Sequence, residues 1–136
     1  MSQENVEIVK RAFDFLGRRD WLGITDADLI DPNVELHGSV GGLEEGKILR
    51  GPDEISQGFD IEDQDVWDEH RIVPREFIDA GDRVVVLLRE YQRGKGSGVE
   101  IEIDTASIVD LCDGRISRMQ GYINPAEAIA AAGLSE

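Results

Sequence analysis

The chain has one cysteine, two histidines and four prolines in 136 residues. Cys112 has no partner for an internal disulfide, and the N-terminus has no basic segment leading into an apolar run, which together predict a reducing, cytoplasmic setting. The longest apolar stretch, Val84–Leu88, is strand-sized, well short of the ~20 residues that carry a helix across a bilayer. His37 and His70 are not at metal-ligand spacing, so no metal is expected. Basic residues are scarce too: 14 Lys and Arg stand against 29 Asp and Glu, a formal charge of −15. A field of that sign repels phosphate backbones and anionic membranes, so neither nucleic acid nor membrane is expected as a partner.

What the chain does have is concentrated in its second half. Three strand-like runs, Arg83–Arg93, Val99–Leu111 and Arg115–Ile123, are separated by a glycine-rich turn at Gly94–Gly98 and by Asp113-Gly114. Upstream, Val6, Val9, Phe13 and Leu16 recur at three- and four-residue steps, predicting an amphipathic helix over Asn5–Arg19 with Ser2 as a capping residue. Asp20 reads as the cap of a second, shorter helix that stops at Asp31-Pro32. Val34–His37 alternates as a short strand, and Gly38–Gly51, with five glycines, reads as a mobile loop that could gate a pocket. Pro52 suits the first position of a third helix over Pro52–Phe59. The six carboxylates between Asp60 and Glu69 lack the spacing of a calcium loop and read as a solvated surface. His70–Ile78 is a strand whose Pro74 belongs at an edge or a bulge, and Pro125–Ala132 is a last, alanine-rich helix. The length fits one domain, 1–136.

Charge selects a register between the first two long strands. Setting Arg93 near Glu100 and Arg89 near Asp104 pairs unlike charges, whereas a one-residue slip brings Glu90 against Glu102. The chosen register puts Val84, Val86, Leu88 and Glu90 on one face with Ile103, Thr105, Ser107 and Val109, and that face is expected to look at the helices. The opposite face carries Ala106, Ile108 and Cys112, an apolar patch through which a homodimer is expected to form.

The order of elements resembles the nuclear transport factor 2-like (NTF2-like) superfamily. Local phrases such as Asp31-Pro32-Asn33-Val34-Glu35, Leu49-Arg50-Gly51-Pro52-Asp53-Glu54-Ile55, Asp79-Ala80-Gly81-Asp82-Arg83 and Asp113-Gly114-Arg115-Ile116 are similar to SnoaL-like proteins. The resemblance spans essentially the whole chain. It implies an α+β cone in which a curved antiparallel sheet wraps N-terminal helices, a central pocket, frequent homodimers, and activities ranging from cyclisation and isomerisation to plain binding. Fold alone does not choose among these. The positions that carry catalysis in related families fall at about Ala12, Leu36, Ser107 and Gly121, none of which holds an acid or base.

Two side chains remain as candidates for proton transfer without a cofactor. His37 ends the first strand with an imidazole suited to general-base work, and Glu90 is expected to face the cavity. Ser107 is a candidate hydrogen-bond donor, and Phe13, Trp21, Leu36, Trp67 and Tyr122 are candidate walls for a small, largely apolar ligand. The alternative is a non-catalytic binding or assembly module of the same fold. Cys112 lies beside Asp113, which disfavours a thiolate.

Overall fold

A computed structural model describes residues 2–134. Helix α1 (Ser2–Gly17) lays its apolar stripe inward, burying Val6, Val9, Ala12, Phe13 and Leu16. The side chain of Ser2, expected as a cap, lies outside the described residues. Helix α2 (Trp21–Asp26) is capped as its sequence predicts, the Asp20 carboxylate accepting from the Gly23 N–H at 2.9 Å. Strand β1 (Ile30–Val40) continues through Asp31-Pro32, because Pro32 falls where the pairing with β6 is irregular between Ile30 and Glu35, a place where a missing N–H is tolerated.

The glycine-rich segment is a hairpin and not an open loop. Strand β2 (Ile48–Arg50) folds back on β1 with His37 opposite Ile48, and the Gly38 N–H donates to the Lys47 carbonyl at 2.9 Å. A Cβ at Gly38 would collide with the backbone of Glu44, so this glycine is needed for close approach. Helix α3 (Gly51–Asp65) starts one residue before Pro52, which stands in its first turn, and continues through the acidic segment, where Asp63 is engaged by Arg19 at 2.9 Å.

Strands β3 (Trp67–Asp79), β4 (Arg83–Gly94), β5 (Glu100–Cys112) and β6 (Arg115–Tyr122) complete one six-stranded sheet in the order β2-β1-β6-β5-β4-β3. The β4–β5 register is the one charge selects, with Arg89 opposite Asp104 and Arg93 opposite Glu100. Arg89 donates to both Glu102 and Asp104. Pro74 sits on the edge strand β3 and next to a bulge between Pro74 and Glu76. The sheet is mixed: β1 pairs parallel with β6, while the other pairings are antiparallel.

The inner face, with Val34, Val84, Val86, Val109 and Ile116 fully buried, packs on α1–α3 to form the main core. Each such side chain contributes about 1.5–3 kcal/mol by leaving water. Phe13 meets Phe77 edge to face at 6.1 Å and ties α1 to β3. Helix α4 (Pro125–Ala131), capped by Asn124, crosses to the outer face and buries Val85, Ala106 and Ile108 beneath Ala128. The patch expected to lie open for a second copy is therefore covered by this chain's own last helix, with Cys112 left exposed beyond it. Among the described residues, no helix is long and apolar enough to cross a membrane and no cluster of His, Cys, Asp and Glu could hold a metal.

Candidate functional site

The helices do not fill the concave side completely. A cavity of about 310 Å³ lies where the inward stripe of α1 (Ala12, Phe13, Leu16) meets α2 (Trp21, Ile24), the start of α3 (Pro52, Ile55) and the sheet residues Ile30, Val34, Ile116 and Met119. Its hydroxyls are already committed to nearby backbone. Thr25 donates to the Trp21 carbonyl at 2.9 Å and Ser56 to the Asp53 carbonyl at 3.0 Å. What remains polar is the exposed Asp53 at the rim and the indole Nε1 of Trp21, buried and without a protein partner. Trp21 is backed by Phe59 at 5.2 Å, and Arg19 lies over the other ring, 5.0 Å from the Phe59 centroid. A chamber with such walls suits a small, largely apolar body.

Further along the inner face, β3, β4 and β5 bring together a polar group. Glu90 accepts from His70 Nε2 at 2.9 Å, from the Thr105 hydroxyl at 2.6 Å and from the Gln92 amide at 3.2 Å. Burial pushes the Glu90 carboxyl upward, but the bonds from His70, Thr105 and Gln92 together with the histidine's charge outweigh it and hold it below the ordinary carboxylate value. Glu90 is therefore an ionised acceptor at neutral pH. Trp67 stacks obliquely on His70 with ring centroids 5.6 Å apart.

A family model for the SnoaL-like domain matches residues 9–119, most of the chain. The chain belongs to the SnoaL-like domain family. Similar solved structures include an NTF2-like protein of unknown function from Burkholderia pseudomallei, 25% identical over 93% of this chain and 95% of that one, with a TM-score of 0.74. TerC co-crystallised with polyporic acid is also 25% identical, over 96% and 98% of the two chains, with a TM-score of 0.74. An NTF2-like protein from Burkholderia thailandensis is 23% identical over 96% and 97%, with a TM-score of 0.76. No curated protein matches the chain.

In this SnoaL-like chain the residues singled out by sequence are spread over both faces of the sheet. Phe13 and Trp21 line the cavity. Leu36 and Ser107 face inward, Leu36 against the core and Ser107 between Val86 and Gly121, but neither lines the cavity. Glu90 and Trp67 belong to the polar group beyond it. His37 lies on the outer face, because its β1 register sets it opposite Gln120, in the row of outward residues that includes Ile108. There it bonds Glu35 at 2.9 Å, and that bond, against the upward push of burial and with help from the charge of Arg50, holds the Glu35 carboxyl below its ordinary value. Tyr122 also faces outward and packs in the cluster beneath α4. No residue of Gly38–Gly51 lines the cavity, so the hairpin is not its gate.

His70 is the residue that sequence reasoning passed over. Its pairing opposite Gln92 places it beside Glu90 only after the β3 bulge has shifted the strand by one residue, and that shift leaves no mark in a period-two pattern beyond Pro74 itself.

Proposed function

We propose that this SnoaL-like protein binds a small, largely apolar organic molecule in the chamber between α1, α2, α3 and the inner sheet. The observation that carries this reading is the cavity of about 310 Å³, within the size range of small-molecule sites. The similar protein TerC was co-crystallised with polyporic acid, which is in keeping with an organic ligand for this fold. Cofactor-free proton transfer on such a ligand remains the chemistry the family resemblance implies. Self-association as a homodimer in the cytoplasm belongs to the same reading, resting on the resemblance and on the single free cysteine.

The experiment is a thermal-shift screen of two- and three-ring aromatic compounds against the wild type and Ala12→Leu. Ala12 is buried on α1 and lines the cavity, so the larger side chain grows into the void with little cost to folding. A binding compound raises the wild-type melting temperature, by about 2.7 kcal/mol of stabilisation at a hundredfold excess over Kd. The filled variant should lose at least tenfold in affinity. Equal shifts in both proteins would place binding elsewhere and remove this reading.

A further inference from the structure

The chamber walls contributed by α1 and the sheet are buried or half-buried, whereas three other lining residues are exposed: Leu22 and Thr25 on α2 and Asp53 in the first turn of α3. A molecule held in the chamber therefore meets water between α2 and α3. Leu22, 73% exposed, gives that mouth an apolar lip on one side. Asp53 gives it a carboxylate on the other.

Asp53 is the sole ionisable side chain of the lining, and among the described residues no lysine, arginine or histidine lines the chamber with it. A carboxylate in the first turn of a helix has an ordinary explanation, its attraction to the positive end of the helix dipole. Glu54 already serves that end, since its Oε1 accepts from the Arg50 N–H at 2.8 Å. The Asp53 carboxylate has neither a hydrogen bond nor an ion pair among the described residues. The cations closest along the chain are engaged elsewhere. Arg50, just before α3, is drawn to Glu35 at 3.5 Å, and Arg115 is held by Asp28, just after α2, at 3.1 Å. Deeper in, the hydroxyls of Thr25 and Ser56 are spent on nearby carbonyls, so a charge carried into the chamber would lose its water without replacement. A ligand's charge must stay at the mouth, and the formal charge of −15 on the whole chain concentrates cations there and repels anions.

We infer that the ligand of this chamber is an amphiphilic amine, with an apolar body inside and a protonated amino group held at the mouth by Asp53. The inference rests on the chamber being a ligand site, as proposed above, and adds the sign and position of the ligand's charge. The body leaves water among Phe13, Leu16, Ile24 and Ile55, while the ammonium keeps part of its hydration and donates to the Asp53 carboxylate. An isosteric carboxylate would face Asp53 with like charge, and a neutral alcohol would forgo the ion pair.

The test titrates three compounds of nearly one shape into the whole chain at neutral pH by isothermal calorimetry: 2-(2-naphthyl)ethylamine, 2-(2-naphthyl)ethanol and 2-naphthylacetate. The amine should bind about fivefold more tightly than the alcohol, the upper end for a solvent-exposed ion pair, and the carboxylate more weakly than either. The preference should narrow as NaCl rises from about 0.01 M to about 0.15 M. Asp53→Asn should bring amine and alcohol to about the same affinity. Glu127→Gln, which removes one charge from exposed α4 on the outer face, should leave the preference in place. A preference that survives in Asp53→Asn would belong to the net charge and overturn the inference. An alcohol that binds wild type, loses affinity in Ala12→Leu and equals the amine would also overturn it while leaving the chamber reading intact, and this comparison holds even should Asp53→Asn fail to fold. Absence of binding by all three, together with an empty aromatic screen, would remove the chamber reading and the inference with it.

Discussion

Glu90 shows how a buried carboxylate is kept charged. Burial alone would favour its neutral form, yet three donors converge on its two oxygens, and their combined effect lowers its pKa. A folded-state value below the ordinary 4.5 means that ionised Glu90 contributes stability fully above the unfolded-state pKa, and that this is lost as pH falls through the lower folded value. Glu90→Gln should therefore cost about 1–3 kcal/mol at pH 7, because a carboxamide cannot accept from both His70 and Thr105 in the same geometry. The difference from wild type should shrink as pH drops below about 4.5. Urea denaturation at a series of pH values measures it, and a constant difference down to pH 3 would mean that Glu90 does not titrate as its bonding requires.

At the scale of elements, α4 decides what the outer face of the sheet can do. Ala128 is fully buried against the patch of Val85, Ala106 and Ile108, and the helix is short, so its docking rests on that apolar contact and on the Asn124 cap. Ala128→Asp would place a charge in this contact, at a cost of several kcal/mol if the helix stayed in place. The helix should release instead. Amide exchange over 125–132 should then become fast, and the uncovered Val85, Ala106 and Ile108 should drive association visible by light scattering. Retention of slow exchange would show that the helix is held by something other than this face.

For the whole molecule, the excess of acid sets the conditions under which it is stable. A formal charge of −15 on a chain of 136 residues repels itself, and salt weakens that repulsion by shortening the Debye length from about 30 Å at 0.01 M to about 8 Å at 0.15 M. The melting temperature should rise across that range of NaCl, and a fall would mean that ion pairs such as Arg19–Asp63 and Arg89–Asp104 outweigh the net charge. The proposed homodimer is checked in the same buffers. Light scattering at micromolar concentration should give twice the chain mass of 15.1 kDa, more readily at the higher salt, and a monomer throughout would remove it.

The sequence by itself determined what short-range physics determines. The stripe of α1, the Asp20 and Asn124 caps, the Asp113-Gly114 turn and the β4–β5 register are all written within a few residues or in one hairpin, where helical period, turn geometry and paired charge act directly. The alternation Val34-Glu35-Leu36-His37 also held the answer to where His37 points, since it shares a face with Glu35 and not with the buried Val34. Only the tertiary structure decided the rest. The parallel pairing of β1 with β6 joins segments some eighty residues apart, as contacts at that distance carry no local signature. The fold of α4 over the outer face depends on which surface the assembled sheet leaves apolar. The meeting of His70 with Glu90 depends on a bulge that changes the parity of β3, and a one-residue shift sends every following side chain to the other face.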